Sequence, residues 1–407
     1  MIKISTSTQS KKTTQLKNRF KKLISFRKLR DLSIQLKKQK KTIVFTTGSY
    51  DLLNPGHCRY LAEAKSFGDV LVVGVSTDAS DKRLKGPLYP LVNSNIRTEL
   101  VSFLKSVDYV TNVDEDHPHG DLAVLQPDVF FTSETAWDEG MRDSQELFIV
   151  QTYGGKLIKR KKHLPYIGNR DLVEHIANIR VLQILEKYLK DRAFDIQIDP
   201  QKHLKPADYA EQKPKFENAF NSNNLFIDHS NLEELGNKLR KKGKKIVFVS
   251  GSYDLLHVGH ARFIEQAGVL GDILIVGIPS DISLRKLKGI GRPIITERSR
   301  AYILGHLDPV DYVTIFDDSS VLDVLEKLKP DVFFTVAEEW NNGYKKSKEY
   351  KLVRSYGGDV VAKPRQAPYL SSSTIIDRMV VVKVKEIFKD CMDEEKYQNV
   401  FKEVSKL

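Results

Sequence analysis

Two histidines three residues apart follow a short apolar segment in the second half of the chain. His257 and His260 lie in the sequence L-L-H-V-G-H, shortly after the β-branched and aromatic run I-V-F-V at 246–249. Residues spaced i and i+3 share one face of a helix, so both imidazoles can reach one ligand. The free N–H groups and partial positive charge at a helix N-terminus suit a phosphate. The alternative is that each histidine has only a structural role, as a hydrogen-bonded polar residue beside an apolar turn.

The residues between this apolar run and the histidines fit the same phosphate chemistry. Gly251 and Ser252 allow the backbone to come close to a ligand, because glycine has no side chain in the way. Asp254 can serve the N-terminus of the following helix. The segment therefore reads as a strand, a glycine-containing turn and a helix whose first turn faces an anion.

Composition limits the class of protein to which the chain can belong. Its 407 residues suffice for two or three domains, and the charged fraction of 29% is typical of a globular protein. Cys58 and Cys391 cannot form a disulfide framework, which favours a reducing compartment such as the cytoplasm. No apolar run approaches the length of a membrane-spanning helix. The net charge of +12 suits anionic ligands, although a basic surface alone would explain it.

Apolar strands alternate with helical patterns through the second half. This alternation predicts a parallel sheet with helices on both faces. Ligands of such sheets bind beyond the C-terminal ends of the strands, which is where the two histidines fall. The predicted strands are Ile246–Val249, Ile273–Gly277, Tyr312–Phe316, Val332–Phe334 and Asp359–Ala362.

The first half of the chain repeats this pattern at a constant offset of 203 residues. A register that persists over roughly 120 residues indicates a tandem duplication. The sequence therefore predicts an α/β protein with two tandem Rossmann-like, doubly wound parallel-sheet domains. The matched pairs include Gly48 with Gly251, Asp51 with Asp254, Gly56 with Gly259 and His57 with His260.

Changes in composition suggest four segments. Residues 1–24 form a basic tail without acidic residues, for which an organelle transit peptide is the weaker alternative. The first domain is expected over 25–190 and the second over 228–407. The polar, proline-containing residues 191–227 between them read as a linker.

The second half resembles the cytidylyltransferase-like nucleotidylyltransferases, whose H-x-G-H signature is carried here by 257–260. Over about residues 230 to 380 it is similar to the nucleotidylyltransferase domain of bacterial ADP-heptose synthases. The shared features include R-K-L-K-G-x-G-R-P at 285–293, Arg300 and the S-S-T sequence at 372–374. The A-E-E-W segment that ends at Trp340 also loosely resembles a motif of glycerol-3-phosphate cytidylyltransferases.

The resemblance implies a reaction and a set of roles. A phosphate oxygen of the substrate attacks the α-phosphate of a nucleoside triphosphate, Mg²⁺ accompanies the triphosphate, and pyrophosphate leaves. The implied catalytic residues are His257, His260, Lys288 and Arg300. The implied nucleotide-binding residues are Gly251, Ser252, Tyr253, Asp254, Gly259, Arg292, Ser372, Ser373 and Thr374, and Glu339 and Trp340 are candidates for contacting the substrate or base.

Several of these residues also have purely structural interpretations. Arg300 could be a salt-bridge partner, the sequence S-S-S-T at 371–374 could be only a helix cap, and Trp340 could belong to the core. Trp137 at the equivalent position of the first half favours core packing for Trp340.

The two copies differ at the polar positions while retaining the scaffold. Asn54 replaces His257 and Tyr89 replaces Arg292, whereas a lysine is kept at Lys85. The first copy is therefore predicted to be a degenerate partner that binds nucleotide weakly or docks on the second as an intramolecular pseudo-dimer, and a homodimer is possible as well. Its degenerate site positions are Asn54, His57, Lys85 and Arg97.

The hypothesis is a nucleotidylyltransferase that uses CTP or ATP and a phosphorylated sugar, polyol or alcohol, with catalysis in the second half. One alternative is an ethanolamine-phosphate-type cytidylyltransferase of phospholipid synthesis, because those enzymes are also tandem. Another is a nucleotide-binding protein without catalysis. The charge alone suggests nucleic acid, but no nucleic-acid-binding motif supports that partner.

Overall fold

The computed structural model describes residues 19–133, 145–160, 178, 225–289, 292–317, 321–340, 343–367 and 369–391. Most of the predicted basic tail and nearly all of the predicted linker lie outside the described residues. The counterparts of Glu338 to Trp340 in the first half lie outside as well, and so do most of residues 172–189, where the spacing of apolar residues predicts a helix.

The first half alternates helices and strands in the predicted manner. Its elements are α1 (Phe26–Lys38), β1 (Ile43–Gly48), α2 (Pro55–Lys65), β2 (Val70–Ser76), α3 (Asp78–Lys85), α4 (Ser94–Ser102), β3 (Tyr109–Val113), α5 (His119–Leu125), β4 (Val129–Ser133), α6 (Gln145–Thr152) and β5 (Lys156–Arg160).

The second half repeats this order and adds a long helix at its end. Its elements are α7 (Leu232–Lys241), β6 (Ile246–Ser250), α8 (Val258–Gly268), β7 (Ile273–Pro279), α9 (Asp281–Lys288), α10 (Glu297–Gly305), β8 (Tyr312–Phe316), α11 (Leu322–Leu328), β9 (Val332–Val336), α12 (Lys348–Ser355), β10 (Asp359–Lys363) and α13 (Ser372–Cys391), with short 3₁₀ turns at His229–Asn231, Ala337–Glu339 and Tyr344–Lys346.

Each half builds one five-stranded parallel sheet. The strand orders are β3-β2-β1-β4-β5 and β8-β7-β6-β9-β10. The order reverses between β1 and β4 in the first sheet and between β6 and β9 in the second. The C-terminal ends of those two strands form the crevice in which such sheets bind ligands. The fold class predicted from the sequence is confirmed, and the five predicted strands of the second half match the observed ones to within two residues.

Apolar residues fill both faces of each sheet, as a parallel sheet covered by helices requires. In β6 the four residues of the apolar run are buried, and Phe248 stacks on Phe333 of β9 with ring centroids 6.1 Å apart. The same pair recurs in the first half as Phe45 and Phe130, at 6.0 Å. The duplicated cores therefore keep both their residue types and their packing.

Aspartate carboxylates hold the starts of the central strands. Asp331 accepts a hydrogen bond from the backbone N–H of Ile246 at 2.7 Å, and Asp128 does the same for Ile43 at 2.7 Å. These backbone groups are the first of each strand and would otherwise lack a partner. The repeated P-D-V-F-F sequence thus reflects a strand-anchoring aspartate rather than the chemistry of a site.

One helix was not anticipated from the sequence. Helix α9 runs from Asp281 to Lys288 behind its N-cap Ser280, whose side chain accepts a hydrogen bond from the Ser283 N–H at 3.2 Å. The basic, glycine-punctuated sequence around Lys288 favours a loop by composition. The Ser280 cap and the packing of Leu284, which is fully buried, override that preference.

The two halves pack against each other about an approximate two-fold axis. Leu104 and Leu307, which are related by the 203-residue offset, pair with each other in an isolated antiparallel bridge, and both are fully buried. The backbone N–H of Lys105 donates to the carbonyl of His306 at 2.9 Å, and that of Asp308 donates to Phe103 at 2.7 Å. Equivalent residues thus exchange equivalent hydrogen bonds, as in a symmetric dimer.

Ion pairs reinforce this contact between the halves. Glu99 of α4 binds the Arg262 guanidinium of α8 at 2.6 Å, and Arg19 binds Glu265 at 2.7 Å. The Lys105 ammonium group donates to the carbonyls of Gly305 and Val310 at 2.7 and 2.6 Å. Hydrogen bonds and ion pairs therefore join the two halves among the described residues.

None of the described helices is long and apolar enough to cross a membrane.

Replacement of Leu307 by alanine should lower the free energy of unfolding by about 2–5 kcal/mol, because it leaves a cavity at a fully buried position on the axis between the halves. Urea unfolding followed by circular dichroism measures the change. The matched control is Ile34→Ala on α1, where the side chain is 46% exposed and the expected change is within about 0.5 kcal/mol. An equally small effect of Leu307→Ala would contradict a packed interface.

Candidate active site

The turn that follows β6 is shaped by a glycine and a tyrosine. Tyr253 has a positive φ of 46°, and a Cβ atom on Gly251 would lie 2.9 Å from the tyrosine ring. Only glycine leaves room for the ring at that position. The edge of the Tyr253 ring in turn contacts His260, with centroids 5.1 Å apart. The turn thus orients the second histidine of the signature.

The two histidine rings stack on each other. Their centroids lie 3.7 Å apart, with an angle of 23° between the planes. His257 is the N-cap residue of α8, but its side chain makes no capping hydrogen bond. A Cβ on Gly259 would lie 2.9 Å from Ala367 and 3.1 Å from the His257 ring, so this glycine allows the close packing. The H-x-G-H sequence therefore produces a compact imidazole pair at a helix N-terminus.

Both imidazoles are uncharged at neutral pH. Burial lowers the pKa of His257 to about 4, and the nearby Arg365 guanidinium acts in the same direction. Burial also lowers the pKa of His260 well below its ordinary value, assisted by His257 and Lys288. The Nδ1 atoms of both rings are buried and have no hydrogen-bond partner among the described residues. Buried polar atoms are normally paired, so this pair is poised for a ligand.

A carboxylate fixes the first of the cations around the histidines. Asp254 accepts hydrogen bonds from the backbone N–H groups of Ile294 and Ile295 at 2.7 and 3.1 Å, and it binds Arg292 at 2.6 Å. Asp254 is 1% exposed, so this ion pair is largely shielded from water. It therefore holds both the Arg292 side chain and the loop that carries it.

Two more cations approach from other elements. Lys288 comes from the last residue of α9, and Arg365 comes from the segment after β10. Sequence reasoning missed Arg365. The sequence does contain one indication of its role, because Lys162, the equivalent residue of the first half, is also basic.

The N-terminus of α13 completes the site. Ser371 accepts a hydrogen bond from the Thr374 N–H at 3.1 Å and contacts the Thr374 hydroxyl at 2.9 Å. Ser372 donates to the carbonyl of Leu255 at 3.3 Å, which ties this helix to the turn before α8. The S-S-S-T sequence is thus a helix cap whose Ser372 and Ser373 also face the cavity.

These elements enclose a cavity of about 450 Å³, within the range of small-molecule sites. It lies at the C-terminal ends of β6 and β9, at the switch point of the second sheet. Its lining includes Gly251, Ser252, Tyr253, Asp254, His257, Gly259, His260, Lys288, Arg292, Glu339, Arg365, Ser372 and Ser373.

Arg300 does not reach the cavity, in contrast to the role that the sequence suggested. The residue is 1% exposed, and its guanidinium donates to the carbonyls of Ile295, Ser252 and Pro279 and to the Asp281 carboxylate at 2.8–3.1 Å. Four hydrogen bonds to acceptors of the protein use most of the five N–H donors of this guanidinium. Arg300 therefore supports the loops of the site from behind.

Trp340 and Thr374 also lie outside the residues that line the cavity. The Trp340 indole N–H donates to Thr335 at 3.2 Å, and its ring packs against the core beside β9. This is the core-packing alternative considered from the sequence. The Thr374 hydroxyl is engaged by Ser371 in the cap of α13.

At the equivalent site of the first half, side chains of the protein bind one another. Asp81 is 1% exposed and lies 2.7 Å from the Lys85 ammonium group and 3.1 Å from the Arg97 guanidinium, and Ser49 donates to it at 2.7 Å. Its counterpart in the second half is the apolar Leu284. A carboxylate of the protein thus engages the two cations retained in the first half.

The histidine and asparagine of the first half are likewise engaged with each other. Asn54 accepts a hydrogen bond from the His57 N–H at 3.1 Å, and His57 Nδ1 accepts one from the Asn54 N–H at 3.3 Å. Burial lowers the pKa of His57 to about 4. This reciprocal capping box occupies the groups that remain unpaired in the second half.

Comparisons with known proteins agree with this architecture. A family model described as Cytidylyltransferase-like matches residues 45–207 and 248–378. The bifunctional protein HldE of a Nitratiruptor species is 36% identical over 155 residues, which are 37% of this chain and 31% of that protein. HldE of Aliarcobacter butzleri is 46% identical over 112 residues, which are 28% of this chain and 24% of that protein. The chain thus spans less than a third of the length of these relatives.

Among solved structures, the lipopolysaccharide core biosynthesis protein from Thermoplasma volcanium has 28% sequence identity and a TM-score of 0.27. The match covers 31% of this chain and 99% of that chain.

Acid should destabilise the protein through His257, and His257→Asn should reduce the effect. Above its ordinary pKa of 6.5 the ring is neutral in both the folded and unfolded states. As the pH falls from about 6.5 towards 4, His257 becomes protonated in the unfolded chain but stays neutral in the folded protein. The free energy of unfolding therefore decreases over this range. Between pH 7 and pH 4.5, the free energy of unfolding of the variant should fall by on the order of 2 kcal/mol less than that of the parent protein. Parallel urea titrations at both pH values measure this, and equal losses would contradict a buried neutral imidazole.

Proposed function

The chain belongs to the cytidylyltransferase-like family, and from this premise we propose that its second half transfers a nucleoside monophosphate from CTP or ATP to a phosphorylated sugar, polyol or alcohol. A phosphate oxygen of the acceptor forms a bond to the α-phosphorus, the bond to the bridging oxygen of the β-phosphate breaks, and pyrophosphate leaves. The observation that carries the proposal is the neutral, stacked pair of His257 and His260 beside Lys288 and Arg365 in one cavity.

The imidazole pair acts by hydrogen bonding rather than as a base. Neutral rings at the N-terminus of α8 donate N–H groups to phosphate oxygens, and they stabilise the negative charge that develops as the new bond forms. The chemistry requires no protein nucleophile, because the acceptor phosphate supplies the attacking oxygen. The contribution of the protein is therefore positioning and charge stabilisation.

The cations and hydroxyls of the cavity bind the rest of the triphosphate. Lys288 and Arg365 offset the charge of the phosphates. Arg292 lines the same cavity, and its ion pair with Asp254 fixes the position of its side chain. Ser372 and Ser373 present hydroxyls at the N-terminus of α13, where the helix dipole also favours an anion. Each of these groups comes from a different loop, so binding of the nucleotide would draw the loops together.

Mg²⁺ enters with the triphosphate in this proposal, and phosphate oxygens provide most of its ligands. The carboxylates that line the described cavity are Asp254 and Glu339. Asp254 is committed to Arg292 and to two backbone N–H groups. Glu339 is the residue left to bind a water molecule of the hydrated ion. When bound, the metal offsets the charge of the leaving pyrophosphate.

The first half serves as a non-catalytic partner in this proposal. Asp81 pairs with Lys85, the counterpart of Lys288, and Asn54 replaces one histidine of the pair. Its docking face nevertheless supports the second site. Glu99 binds Arg262, and the same guanidinium reaches the carbonyl of Gln366, a residue that lines the cavity, at 3.5 Å.

Pyrophosphate release with the full chain tests the activity. CTP and ATP are each offered with glycerol 3-phosphate, hexose and heptose phosphates, and ethanolamine phosphate. Release that depends on both a triphosphate and an acceptor supports transfer, and the active acceptor decides between a sugar-phosphate and an ethanolamine-phosphate enzyme. Nucleotide binding without acceptor-dependent release across the panel would instead support the non-catalytic alternative.

Substitution of two equivalent lysines tests which half of the chain carries the activity. Lys288→Met should lower kcat/KM roughly a hundred- to a thousand-fold, because one positioned cation is lost from the transition state. Lys85→Met removes the equivalent lysine of the first half and should change the rate less than about two-fold. Steady-state pyrophosphate release measures both. A larger loss with Lys85→Met than with Lys288→Met would place catalysis in the first half.

Removal of the internal carboxylate should reopen the first site to anions. Asp81→Leu introduces the residue that the second half carries at Leu284, and it frees Lys85 and part of the Arg97 guanidinium. The variant should fold, since Arg97 keeps its bonds to Asp78, Ser49 and Val92. Isothermal titration with pyrophosphate should then detect a second, weaker site. A stoichiometry unchanged from the parent protein would show that Asp81 is not what excludes the anion.

A further inference from the structure

Three side chains that bind transition metals meet in the first half, away from both sites described above. His117 lies before α5, His119 is the first residue of α5, and Glu146 lies in the first turn of α6. The Glu146 Oε1 atom is 3.0 Å from His117 Nδ1 and 3.1 Å from His119 Nε2. One ligand atom from each residue lies within 4.8 Å of the other two. A single ion can therefore contact all three.

The burial of the carboxylate demands a positive partner. The Glu146 side chain is 2% exposed, and the partners described for it are the two imidazoles, which approach the same oxygen. Burying an ionised carboxylate is costly unless a positive charge or hydrogen bonds compensate. The imidazoles are more open, with side-chain exposures of 61% for His117 and 29% for His119. The cluster is thus buried on the carboxylate side and accessible to an ion from solvent.

The duplication shows that the fold does not require this cluster. The equivalent positions of the second half are Ser320, Leu322 and Glu349. Leu322 begins α11 just as His119 begins α5, so the same helix forms without a histidine. Glu349 is only partly buried, unlike Glu146. The two histidines and the burial of the glutamate are therefore properties of the first half alone.

We propose that His117, His119 and Glu146 form a binding site for a divalent transition metal of the Zn²⁺ class. Two imidazoles and one carboxylate are a set that Zn²⁺ uses, with a water molecule as the fourth ligand. Bond lengths near 2.0–2.1 Å around a tetrahedral ion put ligand atoms roughly 3.3 Å apart. The observed separations of 3.0 and 3.1 Å are close to that spacing. Imidazole ligands disfavour Mg²⁺ and Ca²⁺, so the site is distinct from any Mg²⁺ that accompanies a triphosphate.

The expected consequence of metal binding is a cross-link between the start of α5 and the start of α6. The ion would join the loop before α5 to the start of α6 through ligands from both, and its positive charge would compensate the buried Glu146 carboxylate. Because it binds only the folded arrangement, the metal should raise the melting temperature of the protein. The ion should change neither the arrangement of the residues nor the activity of the transfer site in the second half.

Metal binding by the untagged full chain tests the site. After treatment with a chelator and dialysis, the protein is titrated with Zn²⁺ against a chromophoric competitor and, separately, with Co²⁺ for its visible absorption. We expect one ion per chain, a tetrahedral Co²⁺ spectrum and a rise in melting temperature. His119→Asn and Glu146→Gln should each weaken binding at least ten-fold, in line with loss of a direct ligand.

Two control variants separate this site from other histidines. His229→Asn removes a histidine that lies 2.8 Å from Asp323, a histidine–carboxylate pair outside any three-residue metal-ligand cluster found in the described part of the chain, and should leave binding unchanged. His257→Asn removes one ring of the stacked pair and should also leave it unchanged. Loss of binding with His257→Asn, or its persistence with His119→Asn, would overturn the proposal.

The parent protein alone also decides the question if a variant fails to fold. Circular dichroism of the metal-free parent protein checks that the protein stays folded without the ion. Absence of a tetrahedral Co²⁺ spectrum and of any Zn²⁺-dependent rise in melting temperature in that protein would overturn the proposal. The three side chains would then be a histidine–carboxylate cluster without a metal.

Discussion

A buried guanidinium holds together the loops on which each site is built. In the second half, Arg300 bonds to carbonyls of the turn after β6, the end of β7 and the loop before α10, and to Asp281 at the start of α9. In the first half Arg97 makes the matching bonds to Val92, Ser49 and Asp78. A planar group with five donors can satisfy several carbonyls at once, which an ammonium group cannot do in the same geometry. The loops that carry the cavity residues between β6 and α10 depend on this cross-link.

The duplication separates the residues that build the scaffold from those that perform the chemistry. Both copies keep the buried arginine and the strand-anchoring aspartates, and both keep the glycine beneath a tyrosine with positive φ. They differ at His257, which is Asn54 in the first half, and at Leu284, which is Asp81. The first difference removes one imidazole, and the second supplies a carboxylate to the remaining cations. The architecture therefore persists although the polar residues at the two equivalent sites differ.

The sequence predicted the fold and most of the cavity well, because both follow from local patterns. The apolar strand runs fixed the sheet, and the parallel topology placed the H-x-G-H segment at the switch point. The role of Arg300 could not be read in the same way, since a buried arginine and a phosphate-binding arginine look alike in sequence. Only the three-dimensional path of the backbone shows that three carbonyls converge on it.

Arg365 was missed for a related reason. It follows β10, and it reaches the histidines only because β10 lies beside β9, which in turn lies beside β6. Helix α9 shows the complementary limit, because its N-cap and the packing of Leu284 override what composition suggests. The sequence was least informative where a residue is brought to the site by strand order rather than by its neighbours along the chain.

The antiparallel bridge between Leu104 and Leu307 has a further consequence for how such a protein can diverge. In a dimer of identical subunits, every substitution appears on both sides of the axis, and dilution separates the partners. Here the partners share one polypeptide, so their association does not depend on protein concentration and each side of the axis can change alone. Covalent fusion therefore lets the two members of the pair diverge in sequence while their contact surface is retained.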